Sequence, residues 1–185
     1  MRHYRVLRSV GLMGMVLWPA QLGVQRAQAQ VEIPPGWEIV TIVENEEGRD
    51  CGWPDINDRG DIVVECKDWP DQSTREIYLY TRGQLIQITD DDLKDGFPKI
   101  NNKQEIVWQR ELDADGDFDI VLLRDGEVEV ISELPDSEGG PDINDAGHIV
   151  WQLRIEDGGD DVRIFYFDGE STRQISQNTL SNQLP

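Results

Sequence analysis

Five acidic side chains alternate along ELDADGDFDIVLL, residues 111–123, at a spacing that could hold a cation. They are Glu111, Asp113, Asp115, Asp117 and Asp119. Ca²⁺ takes six to eight oxygen ligands in proteins, and Gly116 lets the segment bend around an ion. The spacing therefore predicts a calcium site. The alternative is a solvated acidic hairpin that holds no metal.

The same segment resembles D-x-D-x-D-G-x-x-D, the calcium loop of integrin-like propeller blades, with Glu111 in the place of the first aspartate. The resemblance implies that these five carboxylates bind Ca²⁺. An EF-hand needs a glutamate at its twelfth position, where this chain has Leu122, so that motif is excluded.

Catalytic motifs are missing elsewhere. His148 is the only histidine after residue 29, and no G-x-S-x-G, H-E-x-x-H or zinc-type Cys/His spacing is found. Two carboxylates could hydrolyse a glycoside, but the 37 acidic residues offer no preferred pair. We therefore expect a protein that is not an enzyme.

The element that must position these residues is a repeated unit. Three similar phrases carry prolines at intervals of 44 and 43 residues, and a second phrase recurs with them. The first phrase is CGWPDINDRGDIVVE (51–65), DGFPKINNKQEIVWQ (95–109) and GGPDINDAGHIVWQ (139–152); the second occupies 76–89, 119–132 and 163–176. A period in the forties with strand-like content predicts propeller blades, each a four-stranded sheet.

Each repeat divides into four short strands. Asn-Asp turns end in Gly60 and Gly147, which can take a positive φ, whereas Gln104 replaces that glycine in the middle repeat and predicts a strained or differently shaped turn. Trp108 and Trp151 occupy one slot of the second strand. We expect them to fill the space between blades; the alternative is an aromatic platform for a ligand.

These phrases resemble the TolB-like β-propeller repeat of exported bacterial proteins over residues 37–185. The resemblance implies the architecture and says little about function, because that family includes scaffolds, partner-binding modules and accessory domains of enzymes. TolB-like repeats often carry D-G-x-D at the acidic segment without a metal, so the hairpin alternative stays open.

We expect an all-β fold: a partial β-propeller of about three four-stranded antiparallel blades, at roughly 50–90, 94–133 and 137–177 within a domain spanning 30–185. WEIVTIV (37–43) predicts one extra N-terminal strand. Closed propellers need about four blades or more, so the ring is incomplete at its C-terminal end. Three explanations are possible: the chain is a fragment of a longer propeller, two copies associate, or the arc stays open. The first is favoured because Pro185 falls in phase with the repeat.

The N-terminus has the pattern of a secretory signal peptide, predicted as a helix at 1–29. Arginines precede an apolar stretch too short to span a bilayer, and AQA at 27–29 predicts cleavage after Ala29. Removing the four arginines of this segment from the 17 basic side chains leaves 13 against 37 acidic ones, a net charge of −24. This charge opposes binding to nucleic acids and anionic membranes.

The two cysteines fall in the first repeat. If its first two strands pair around the turn at 57–60, Ile56 lies near Ile62 and Cys51 lies near Cys66 or its neighbour. In an exported protein this predicts a disulfide, worth about 3 kcal/mol for so short a loop.

The sequence thus predicts an exported module, periplasmic or secreted, that binds an unknown protein or glycan partner or acts as a scaffold and is not inserted in the membrane. Calcium is its one candidate cofactor. The alternative is a carbohydrate-active or other hydrolase, or the accessory propeller domain of one.

Overall fold

A computed structural model describes residues 34–36, 38–43, 49–68, 74–112, 116–155 and 161–176 of the chain. All regular structure in these ranges is β-strand. The strands are β1 (Arg49–Ile56), β2 (Ile62–Asp68), β3 (Glu76–Thr81), β4 (Gln84–Gln87), β5 (Asp95–Ile100), β6 (Ile106–Arg110), β7 (Asp119–Arg124), β8 (Glu127–Ser132), β9 (Glu138–Ile143), β10 (Ile149–Arg154), β11 (Val162–Phe167) and β12 (Thr172–Gln174).

The strands form three four-stranded antiparallel sheets, which we call blades 1 to 3. Within each blade the strands are hydrogen-bonded in chain order, β1 to β4, β5 to β8 and β9 to β12. The first strand of blade 2 packs against the first strands of blades 1 and 3. The predicted partial propeller with three antiparallel blades is therefore confirmed.

Blades pack face to face through apolar side chains from both of their sides. Strands β2, β3, β6 and β7 are nearly continuous apolar runs because both of their faces are covered. We call the side toward the next blade the forward face and the side toward the preceding blade the backward face. The cluster between blades 1 and 2 is Val63, Ile77, Leu79, Ile100, Ile106, Trp108 and Val121; that between blades 2 and 3 is Val107, Ile120, Leu122, Ile143, Ile149, Trp151 and Phe167.

The turn between the first two strands is built by an asparagine. In blade 1, Asn57 Oδ1 accepts hydrogen bonds of 3.0 Å from the backbone N–H groups of Arg59 and Asp61. Gln104 has a φ of 64°, close to the 77° of Gly60. The middle turn therefore keeps the common shape, with a non-glycine residue in the left-handed region, which is the strained form that the sequence predicts.

The predicted extra strand at 37–43 is wrong for the residues that the structure describes there. Residues 38–43 belong to no strand, and Ile39 and Val40 are 62% and 64% exposed. Each of the three blades is formed by four strands that lie between residues 49 and 174.

The chain divides into two compact units, Met1–Ile39 and Val40–Pro185, and the second contains all three blades. The predicted signal peptide and its helix lie outside the described residues. Among those that are described, no helix has the length and apolar character needed to cross a membrane.

Candidate functional site

The first strand of every blade has an irregularity at the repeated proline. The residue before that proline has a positive φ, which is 50° at Trp53, 54° at Phe97 and 59° at Gly140. The pairing with the second strand shifts here in each blade, between Gly52 and Asp55 in blade 1. Proline cannot donate a ladder hydrogen bond, so the strand bulges where the proline stands.

A side chain of the preceding blade holds the bulge in blades 2 and 3. Glu65 Oε2 accepts a hydrogen bond of 2.9 Å from the backbone N–H of Phe97, and Gln109 Oε1 accepts one of 3.2 Å from that of Gly140. A positive φ is uncommon for a residue such as phenylalanine and costs free energy. These two contacts from β2 and β6 stabilise the unusual backbone.

Two glycines make room for these side chains. A Cβ atom on Gly96 would lie 2.8 Å from Glu65 Oε2, and one on Gly139 would lie 2.6 Å from Gln109 Oε1. Cβ atoms do not approach oxygen so closely without displacing it. In blades 2 and 3 the glycine two residues before the bulged proline is therefore required by the close approach of the preceding blade.

The bulges form a shallow apolar groove that runs across all three blades, with a volume of about 200 Å³. The rings of Trp53 and Phe97 lie 4.4 Å apart between centroids at an angle of 40°, and Trp53 is 59% exposed. The groove is lined by Trp53, Pro54, Phe97, Pro98, Lys99, Gly140, Pro141 and Asp142. It offers a ligand two aromatic rings and three prolines beside two charged groups.

A polar pocket of about 270 Å³ is also lined by Trp53. Arg75 is 3.3 Å from Glu65 Oε1, and Lys67 is 3.4 Å from Asp50, so both cations are paired. Trp53 thus lines both an apolar groove and a charged pocket. An apolar surface with a few fixed polar groups is typical of ligand sites.

The sequence does not predict this groove. Its candidates for an aromatic platform, Trp108 and Trp151, are 0% and 2% exposed and fill the space between blades as expected. The exposed aromatic residue is Trp53, and Phe97 beside it is half-buried. The available signal was their shared position immediately before the repeated proline.

The predicted calcium ligands are only partly within the described residues. Asp113 and Asp115 lie outside them, and Asp119 is buried at the start of β7. Glu111 forms an ion pair of 2.6 Å with Lys94. A calcium ion bound through Glu111 Oε2 would have to displace this ammonium group. The calcium site stays a prediction.

A second acidic group, not expected from the sequence, comes together from two strands and a loop. One carboxylate oxygen from each of Glu76, Asp91 and Asp95 lies within 4.8 Å of the others. The guanidinium of Arg110 supplies the positive charge, with Nε 2.6 Å from Asp95 and Nη2 3.1 Å from Asp91. The hydrogen bond with Asp95 raises the pKa of Arg110, and burial raises the pKa of Glu76. This cluster is an internal ion-pair network in which the cation is an arginine.

The two cysteines and His148, which the sequence also singles out, contact other residues of their own blades. The predicted disulfide between Cys51 and Cys66 is present, in a register that pairs Ile56 with Ile62. His148 Nδ1 lies 3.0 Å from the hydroxyl of Tyr166.

Three consecutive four-stranded antiparallel sheets, packed through a repeated face, define a β-propeller, and solved structures agree. A putative TolB from Agrobacterium tumefaciens matches with a TM-score of 0.57 and 19% identity, over 72% of this chain and 50% of that one. The propeller domain of the Trilobed protease from Pyrococcus furiosus matches with a TM-score of 0.53 and 20% identity, over 67% and 39%. Acylaminoacyl peptidase from Pyrococcus horikoshii matches with a TM-score of 0.51 and 21% identity, over 66% and 19%.

The chain therefore has a TolB-like propeller fold and spans half or less of the length of these similar structures. No family model matches the sequence. No curated protein matches it either. Identities near 20% establish the fold alone.

Proposed function

We propose that the chain is an exported, non-catalytic β-propeller module that binds a protein partner through the groove at Trp53 and Phe97. The observation that carries this proposal is the exposed Trp53 ring, which lies 4.4 Å from the tilted ring of Phe97 on a bulged backbone that Glu65 holds at Phe97. Backbone strain of this kind is concentrated at functional sites. Tryptophan is also the residue type most enriched among those that dominate binding energy at protein interfaces.

The charge of the chain supports a basic partner. The chain carries a formal net charge of −20 at pH 7, which becomes −24 once the predicted signal peptide is removed. Such a field accelerates encounters with positively charged proteins and opposes nucleic acids and anionic lipids. A basic segment with an apolar side chain that fits between Trp53 and Phe97 is the partner chemistry that we favour over a glycan.

Export is supported by the N-terminal signal pattern and by the disulfide. Disulfides persist in oxidising compartments such as the periplasm and the extracellular space. The bond between Cys51 and Cys66 joins neighbouring strands of one blade. We propose the periplasm or the exterior as the location.

The binding role is tested by Trp53→Ala. Proteins that bind the immobilised chain are identified from the exported fraction, and the best of them is then titrated in purified form against the wild type and the variant. We expect Trp53→Ala to weaken binding by about 2 kcal/mol, roughly thirtyfold. Val128→Ala on β8 is the matched control, because Val128 is exposed and apolar and does not line the groove.

Two outcomes would count against this proposal. Equal affinity of the wild type and Trp53→Ala would exclude the groove. Binding that is lost after enzymatic removal of sugars from the partner would replace the protein ligand with a glycan.

Calcium stabilisation is a further part of the proposal and rests on the alternating carboxylates at 111–119. Titration calorimetry with Ca²⁺ should give a single site in the wild type and a weakened one in Asp115→Ala. No heat of binding in the wild type would exclude calcium.

The second candidate is the accessory propeller domain of a hydrolase. It is favoured by two of the similar structures, which are a protease and a peptidase that contain propeller domains of this fold. A hydrolase that co-purifies with the chain and changes its substrate preference when the chain is removed would support this alternative.

A further inference from the structure

The two ends of the three-blade arc expose the two halves of one interface. At one end is the forward face of blade 3, and at the other is the backward face of blade 1. Within the chain, forward and backward faces pack together twice, between blades 1 and 2 and between blades 2 and 3. The residues of the two uncovered faces can therefore be compared with equivalents that are covered.

The forward face of blade 3 has the residue types of an internal blade interface. Val150 occupies the position of Val63 and Val107, which are both 0% exposed, yet Val150 is 38% exposed. Ile164 occupies the position of Ile77, which is buried between blades 1 and 2. Val150 and Ile164 belong to neighbouring strands, β10 and β11, of the same sheet. Tyr166 stands where the covered faces have Leu79 and Leu122, so the third blade presents two of their three apolar residues together with a tyrosine.

The backward face of blade 1 is the complementary half. Ile56 occupies the position of Ile100 and Ile143, which are 5% and 9% exposed, whereas Ile56 is 63% exposed. Ile100 packs in the core between blades 1 and 2, and Ile143 packs in the one between blades 2 and 3. Part of this face is covered, because Val43 packs against its β2 and β3 side chains. The first strand at Ile56 is the part left open.

Polar contacts at the turns also repeat from blade to blade. Asn57 Nδ2 donates to the backbone carbonyl of Asn101 at 3.1 Å, and Asn101 Nδ2 donates to that of Asn144 at 3.0 Å. Asn144 has the same side chain, and the described part of the chain contains no fourth blade to accept from it. The carbonyl of Asn57 is the equivalent acceptor at the other end of the arc.

A second set of turn contacts follows the same order. The backbone N–H of Asp58 donates to Asn102 Oδ1 at 2.8 Å, and the N–H of Asn102 donates to Asp145 Oδ1 at 2.9 Å. The N–H of Asp145 is the next donor in this series. The carboxylate of Asp58, which holds the equivalent place in blade 1, is a suitable acceptor for it.

We propose that a second copy of the chain docks the first strand of its blade 1 on the forward face of blade 3. By symmetry the same contact forms twice, and two arcs close a ring. In each contact Ile56 of one copy packs against Val150 of the other, and Asn144 donates to the carbonyl of Asn57. A twofold pair of head-to-tail contacts leaves no apolar face open, whereas an arc with two open faces is prone to further association.

The test is sedimentation velocity of the exported full-length product over a wide range of concentrations, with its mass set by mass spectrometry. We expect a discrete dimer. A monomer at all concentrations would overturn the proposal, and so would an open-ended series of polymers, since that would show that two arcs do not close.

Two variants locate the interface. Val150→Asp and Ile56→Asp each place a carboxylate in the proposed contact and should weaken dimerisation by about a hundredfold or more, because burying an unpaired charge is costly. Both sites are exposed in one copy, so both variants should fold. Val130→Asp on β8 is the matched control, since Val130 is 50% exposed and belongs to the middle blade. We expect it to remain dimeric.

Mixing the two variants distinguishes head-to-tail contacts from a symmetric pairing of the third blades. In a head-to-tail dimer of the two variants, the unchanged blade 1 of Val150→Asp meets the unchanged blade 3 of Ile56→Asp. One of the two contacts is therefore intact, and an equimolar mixture should regain part of the dimer. A dimer that tolerates Ile56→Asp would overturn the proposed use of blade 1.

Discussion

The indole Nε1 of Trp108 donates a hydrogen bond of 2.7 Å to Oδ1 of Asp95, and neither side chain is exposed to solvent. Blade 3 repeats the pair, because Trp151 Nε1 donates to Glu138 at 2.5 Å. In each case a carboxylate on the first strand satisfies an indole N–H that packing would otherwise leave without a partner. A buried donor without an acceptor costs about 1–3 kcal/mol.

The substitution Trp108→Phe should lower the free energy of unfolding by about 2 kcal/mol, because it removes the donor and leaves a smaller ring in the core. Asp95→Asn should cost about 3 kcal/mol, since Arg110 loses the more buried of its two carboxylate partners. Urea unfolding followed by circular dichroism measures both. The double variant should lose less than the two single losses together, because the residues share one contact. Additive losses would show that the pair is not coupled.

In blade 1 the same two places are filled differently. Val64 stands in the tryptophan slot and has no N–H to satisfy, and Cys51 replaces the carboxylate. Cys51 pairs with Cys66, which holds the place of Arg110 in blade 2. A covalent bond thus occupies the site that an ion pair and an indole hydrogen bond occupy in blade 2.

Replacing both cysteines of blade 1 by alanine should destabilise the fold by about 3 kcal/mol, because the bond closes a loop of some 15 residues in the unfolded chain. Chemical denaturation with and without a reducing agent is the measurement. Reductant should lower the stability of the wild type to about that of the double variant and leave the variant unchanged. An equal response of both proteins to reductant would mean that the disulfide is not the cause.

The repeat spacing was sufficient to predict the architecture. Intervals of 44 and 43 residues gave three four-stranded blades, and the shared slot of Trp108 and Trp151 gave their place in the core. The hairpin register around Ile56 and Ile62 gave the disulfide. These features are local or periodic, so alternation and turn chemistry are enough to derive them.

The candidate site depends on contacts that no local pattern contains. The position of Trp53 is set by a backbone bulge, and the equivalent bulge at Phe97 is held by Glu65 of another blade. The network around Arg110 joins Glu76, Asp91 and Asp95 from separate segments. The strand expected at 37–43 is wrong for the described residues because strand formation depends on pairing with a distant partner, which a β-type segment does not itself reveal.

The glycine at the end of the first turn should be required for its backbone conformation alone. Gly60 has a φ of 77°, and a Cβ atom there would meet nothing within 4 Å. Gly60→Ala should therefore cost about 1 kcal/mol through strain in the left-handed region, without a steric clash. Thermal or urea unfolding measures the loss. Gly52→Ala is the matched control, because that site is equally open and has no positive φ. Equal effects of the two changes would contradict the assignment.

The buried carboxyl of Glu138 should make stability depend on pH. Burial raises the pKa of Glu138 above its ordinary value of 4.5, and the charge of Asp119 acts in the same direction. Hydrogen bonds from Ser132 and Trp151 lower it in part, and among the described residues its Oε2 has no hydrogen-bond partner. The folded state thus holds this proton more tightly than the unfolded chain does.

Because its pKa is raised in the folded state, Glu138 contributes most to the stability of the fold below pH 4.5. This contribution is lost as the pH rises through the folded-state pKa. Glu138→Gln imitates the protonated form, and its amide oxygen can still accept from Trp151. We expect the variant and the wild type to have similar stability near pH 4 and the variant to become the more stable one as pH rises to 7. Urea unfolding of both proteins across this range measures the difference in stability. The pKa of Glu76 is also raised, but both proteins contain Glu76, so its effect cancels in that difference. Glu129→Gln on the exposed strand β8 removes a surface carboxylate and is the control, and a difference for Glu138→Gln that does not change with pH would contradict the role of this buried carboxyl.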